Sequence, residues 1–101
     1  MTAREALMQT RRLLTAGWTR GTMHRVSEGK DYYCLVGALR HTTRWYDGRE
    51  HHAAYREART TLADLIGGRA LTDFNDSQQS VRPVITLIDD AINKVSTKEG
   101  M

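Results

Sequence analysis

Tyr32-Tyr33-Cys34-Leu35-Val36-Gly37-Ala38-Leu39 is the stretch whose periodicity settles the architecture. At 3.6 residues per turn, Cys34, Ala38 and Trp45 fall with Leu35, Leu39, Thr42 and Tyr46 in one arc of about 140°. The spacing predicts a helix from about Tyr33 to Tyr46 that must bury this arc, and with it the chain's one cysteine. A buried free cysteine commonly serves as a small apolar packing group.

Three further segments carry the same period. Thr2 and Glu5 form a T-x-x-E capping box, in which each side chain satisfies the other's backbone donor. Behind it Ala3, Ala6, Leu7, Leu13 and Leu14, joined by Thr10, share one face of a first helix that Gly17 stops. Trp18 is expected to fold back over that helix end as a lid. After a break at Asp47-Gly48-Arg49-Glu50, where Asp47 and Glu50 align as a second cap, a helix is expected from about Arg49 to Ile66. It should bury Ala54, Tyr55, Ala58, Leu62, Leu65 and Ile66 and end at Gly67-Gly68.

Leu71, Phe74, Asn75 and Asp76 read as a connector with two apolar anchors. The last helix is expected to start near Ser80, with Pro83 in its first turn. Val81, Val84, Ile85, Ile88, Ala91, Ile92 and Val95 form its stripe. Residues 19–33 are the least regular. Turn residues at Gly21 and Ser27-Glu28-Gly29-Lys30-Asp31 suggest that Thr22–Val26 pairs with Asp31–Tyr33 as a short β-hairpin. The prediction is an all-α fold, a compact four-helix bundle-like domain over residues 1–95 that accommodates this hairpin, with a frayed tail at 96–101.

Composition narrows the function classes. A chain of 101 residues, 40% apolar and 27% charged, has the make-up of one globular domain. No apolar run approaches the roughly 20 residues of a membrane span. Arg4, Glu5, Arg11 and Arg12 interrupt any secretory h-region. A single cysteine cannot form an internal disulfide, which fits a reducing cytoplasm. The net charge of +3 is uneven: residues 1–49 hold nine Lys/Arg against four Asp/Glu, and residues 50–101 hold six against eight. Solvated faces account for such a split as readily as an acidic partner does.

The thiol is the first candidate for chemistry. In the first turn of its helix, Cys34 would have its pKa lowered by the dipole. A nucleophile also needs a base and an orienting group. His24, His41, His51 and His52 are bases by type, and Asn75 could orient one of them. His41 lies seven residues along the same helix, about 10 Å of rise away, too far to touch the sulfur. No catalytic residue is therefore assigned beyond Cys34 as a weak candidate. His51 and His52 with Cys34 and His41 match no zinc-finger spacing, so neither a metal nor a cofactor is expected.

Arg20, Arg25, Arg40 and Arg44 are candidate phosphate contacts, beside Arg4, Arg11 and Arg12. Against a nucleic-acid role, the last helix carries Asp89 and Asp90, and no helix-turn-helix spacing stands out. The preferred surface is a protein-binding face formed by Arg4, Met8, Arg11, Arg12 and Thr15, an outward methionine rimmed by arginines.

Gly17-Trp18-x-x-Gly21, Cys34-x-x-Gly37-Ala38-Leu39, Phe74-Asn75-Asp76 and Ile88-Asp89-Asp90-Ala91-Ile92 together resemble a small actinobacterial and actinophage family of unknown function. The likeness spans most of residues 13–92, with Phe74 where the family has tryptophan. It implies a phage or prophage accessory protein and no particular reaction. Physically, Gly37 and Ala38 let a neighbour pack close, and Asn75-Asp76 can fix the entry into the last helix. The alternative is a shared pocket of Trp18, Cys34, Asn75 and Asp76. The resulting expectation is a non-enzymatic module in a bacterial host cytoplasm that engages a host protein. A homodimer, nucleic-acid binding, and a thiol-dependent enzyme using Cys34 are the alternatives.

Overall fold

The computed structural model describes residues 1–44 and 52–99. Trp45, Tyr46, the Asp47–Glu50 break and His51 lie outside them. Among the described residues the order is α1 (Ala3–Ala16), β1 (His24–Ser27), β2 (Lys30–Tyr33), α2 (Leu35–Thr43), α3 (His52–Leu65), α4 (Leu71–Asp76) and α5 (Arg82–Glu99). The protein is mostly helical, with one two-stranded antiparallel hairpin.

α1 is the central element, packed against α2, α3 and α5. The Thr2–Glu5 capping box forms as expected: Glu5 N donates to Thr2 Oγ1 at 3.1 Å and Thr2 N to Glu5 Oε1 at 3.0 Å. These bonds hold the Glu5 carboxyl below its usual pKa. Ala3, Ala6, Leu7, Thr10 and Leu14 are buried. The four apolar ones meet Leu35, Leu39, Ala58, Leu62, Val84, Ile88 and Val95 in one core. Leu87, absent from the expected stripe of the last helix, is buried as well, so α5 is turned toward it. Among the described residues, no helix is long and apolar enough to cross a membrane.

Several expected boundaries move. The hairpin register pairs His24 with Tyr33 and Ser27 with Lys30. Its turn is Glu28-Gly29, both at positive φ (53° and 75°), the two-residue geometry that matches strand twist. Tyr33 therefore ends β2, and Cys34 is the N-cap of α2 rather than part of its first turn. The stretch Leu71–Asp76, expected as a connector, is helical. It is too short to be stable alone, and tertiary bonds from its last two residues hold it. The last helix begins at Arg82 rather than near Ser80, and Pro83 does sit in its first turn. It continues to Glu99, through the expected tail, where Arg4 Nε donates to Ser96 Oγ at 3.0 Å and Thr97 Oγ1 to Asn93 O at 2.9 Å. Leu65, expected in the core, is 39% exposed at the end of α3, and Thr61 is buried in the same helix.

Candidate functional site, the joint around Asn75

Residues 17–23 leave α1 and run past the start of α2, where they meet β2 and α4. Gly17 O accepts from Tyr33 N at 3.0 Å, and Thr19 N donates to Tyr33 O at 3.0 Å. This adds a short parallel bridge at Trp18 beside the hairpin. A Cβ on Gly17 would lie 2.5 Å from Asp31 O, so only glycine admits this approach. Further on, Met23 O accepts from Cys34 N at 3.1 Å, and a Cβ on Gly37 would overlap that same carbonyl.

Asn75 sits at the centre with no exposed surface. Its Oδ1 accepts from Trp18 Nε1 at 2.8 Å and from Leu35 N at 3.1 Å. Its Nδ2 donates to Thr19 O and to Asp76 Oδ1, both at 3.1 Å. A primary amide has two donor hydrogens and two acceptor lone pairs, and all four are engaged. Asp76 Oδ1 also accepts from Gly21 N at 2.9 Å. One side chain thus ties the α1–β1 link, the start of α2 and the end of α4 together.

The start of α2 shows why these residue types are needed. The first N–H groups of a helix lack intrahelical partners. Leu35 N donates to Asn75, Gly37 N to Cys34 Sγ at 3.3 Å, and Ala38 N to Cys34 O at 2.8 Å. Cysteine here serves as the cap.

Cys34 is 3% exposed. Burial pushes its pKa up, and the Asp76 carboxylate adds to the rise, outweighing the N–H groups of Gly37 and Val36. The expected dipole-driven lowering loses to desolvation. The folded thiol pKa lies above its unfolded value of about 8.5, so the contribution to stability is full below that pH and fades above it. Cys34→Ser should therefore keep more of its stability than the native chain when unfolding is followed by urea melts from pH 7.5 to 10. Parallel loss in both proteins would contradict this.

No described histidine takes the role of base to the thiol. His24 Nε2 lies 2.7 Å from Asp31 Oδ1, and its ring stacks on Tyr33 at 4.7 Å. His41 is tilted against the same Tyr33 ring at 5.2 Å, and His52 is 6.5 Å from Tyr55. Among the described residues, no group of three or more His, Cys, Asp or Glu is placed to hold a metal. Trp18, Asn75 and Asp76 are brought together as hydrogen-bonded neighbours, and Cys34 adjoins them through Leu35, whose N–H donates to Asn75. A cavity of about 200 Å³ does lie beside them, lined by Gly21, Thr22, Met23, Cys34, Thr72 and Asp76, and Trp18 and Asn75 do not line it.

Comparison with known proteins places the chain in a family. Residues 1–94 match DUF6197, a family of unknown function. The chain belongs to that family. No curated protein and no solved structure matches this DUF6197 chain.

The other sequence-predicted residues lie apart from the joint. On α1, Arg11 makes a two-pronged contact with Asp89 of α5 (Nε–Oδ1 2.7 Å, Nη2–Oδ2 3.3 Å), and Arg4 reaches Ser96. Met8 is half-buried between them in sequence, Arg12 is exposed, and Thr15 Oγ1 donates to Arg11 O at 2.8 Å. Arg20 Nη1 donates to Gln78 O at 2.8 Å. Arg25 lies over Tyr32 at 5.2 Å, Arg40 Nε donates to Tyr55 Oη at 3.3 Å, and Arg44 is the left-handed C-cap of α2. Arg20, Arg25 and Arg40 take separate partners. Sequence reasoning missed Thr19 and Met23, which act in the joint through backbone carbonyls and leave no side-chain signal.

Proposed function

We propose that this DUF6197 protein works by binding and performs no covalent chemistry, as a phage-type accessory module that engages a host protein in the bacterial cytoplasm. The observation that carries this reading is Asn75: its amide is buried and fully bonded to structural partners. The chemistry-bearing residues around it are occupied in holding the chain, and the thiol is protonated and covered. The contact face is the α1–α5 seam, where Arg12 and Met8 flank the Arg11–Asp89 pair. That pair is nearly half exposed and screened by solvent, so it adds little to the fold and its charges stay available to a partner.

Immobilised protein exposed to an actinobacterial lysate should retain one host protein, and Arg12→Glu should release most of it. Retention of DNA with no specific protein would overturn the reading, as would a partner indifferent to Arg12→Glu. Light scattering on the purified chain separates a homodimer from a foreign target. A second reading, nucleic-acid binding, draws support from the hairpin. There Arg25 and Lys30 each sit 5.2 Å from the Tyr32 ring, cations around a surface on which a base can stack. Its signature is an affinity that falls steeply with salt.

A further inference from the structure

A groove of about 590 Å³ opens between α2, α3 and α4, apart from the α1–α5 seam and sharing Met23 with the joint around Asn75. Its size falls in the range of small-molecule sites. The α3 wall presents His52, Tyr55, Arg59 and Ala63, at i, i+3, i+7 and i+11, which is one helix face. Arg40 enters from α2 with its Nε on the Tyr55 hydroxyl. Arg69 enters from the Gly67-Gly68 turn, where Gly68 has φ +82° and no side chain to fill the space. Met23, Val36 and Leu71 supply an apolar floor.

Charge is concentrated here. Three guanidinium groups line the groove against one carboxylate, Asp64, among its described residues. That local excess of two compares with +3 for the entire chain. Neither Arg59 nor Arg69 is in an ion pair with a described residue. Guanidinium forks match phosphate oxygens in pairs, and an aromatic and apolar floor accepts a planar body.

We propose that this groove binds a phosphate monoester carried on a planar aromatic body, a nucleoside monophosphate in size and chemistry. Arg59 and Arg69 hold the phosphate, Arg40 is positioned by Tyr55 at its edge, and the Met23–Val36–Leu71 floor takes the aromatic part. Such a ligand arrives either free or as the 5′-phosphorylated end of a nucleic acid. The proposal is independent of the protein-binding face on α1.

Calorimetric titration with AMP, adenosine and inorganic phosphate tests it, on the native chain and on Arg59→Gln, Arg69→Gln and Arg12→Gln. Both groove residues are exposed, so these variants should fold, which circular dichroism checks. Saturable AMP binding is expected, at least tenfold tighter than either adenosine or inorganic phosphate. Each groove variant should weaken it about tenfold or more, the scale of one charged hydrogen bond, and Arg12→Gln should leave it unchanged. A 5′-phosphorylated trinucleotide that competes with AMP places the ligand at a nucleic-acid end; failure to compete places it among free nucleotides. Absence of saturable AMP binding would overturn the proposal, and so would AMP affinity equal to that of adenosine or phosphate, or equal loss in Arg12→Gln.

Discussion

Gly37→Ala lowers stability by about 2–3 kcal/mol, although alanine is the better helix former. Residue 37 lies in the first turn of α2, where glycine costs roughly 1 kcal/mol relative to alanine on propensity alone. A propensity argument therefore predicts a gain. The geometry predicts a loss, because a methyl group there meets the Met23 carbonyl oxygen, with its carbonyl carbon 2.8 Å away. Backbone cannot swing aside as a flexible side chain can. Moving Met23 also breaks the bond that its carbonyl accepts from Cys34 N. Chemical denaturation decides between the two signs: a variant as stable as the native chain, or more so, would show that the close approach is dispensable.

The larger effect is expected at Asn75. Truncation to alanine leaves Leu35 N and Thr19 O without their partner in the buried interior and Trp18 Nε1 without its partner at a half-buried edge. Each buried orphan costs about 1–3 kcal/mol, so a total near 4–5 kcal/mol follows, a large part of the 5–15 kcal/mol typical of whole domains. For a domain of this size that corresponds to a fall in Tm of roughly 20 °C or more. Trp18→Phe removes one of the same bonds. Combined with Asn75→Ala it should therefore cost clearly less than the sum of the singles, with a coupling of about 1 kcal/mol. Additivity within about 0.3 kcal/mol would mean that the indole and the amide do not act together.

These residues also show how far sequence reasoning reaches. The Thr2–Glu5 box, the stop at Gly17, the mostly helical character and the hairpin near Glu28-Gly29 all follow from local chemistry: capping pairs, period and turn residues. What escaped it is set by contacts distant in sequence. α4 is helical because Asn75 bonds to residues 40 and 56 positions away, which no periodicity encodes. The Cys34 thiol rises in pKa because burial outweighs a helix terminus, a balance that needs the surroundings of the sulfur. Arg4 and Arg11, read as an open face, cross to α5 because Ser96 and Asp89 lie opposite. The Asn75-Asp76 pair was singled out as polar residues that fix the chain, while its partners Thr19 and Met23 carry no such mark.

Iodoacetamide labelling of the folded chain at pH 7.5, followed by mass spectrometry, puts the whole account to its hardest trial. A capping sulfur buried at the start of α2 should be modified at least about a hundredfold more slowly than in urea-unfolded protein, since reaction must await opening. Modification as fast as in the unfolded chain, or faster, would mean an accessible and activated thiolate. The joint would then be a reactive centre.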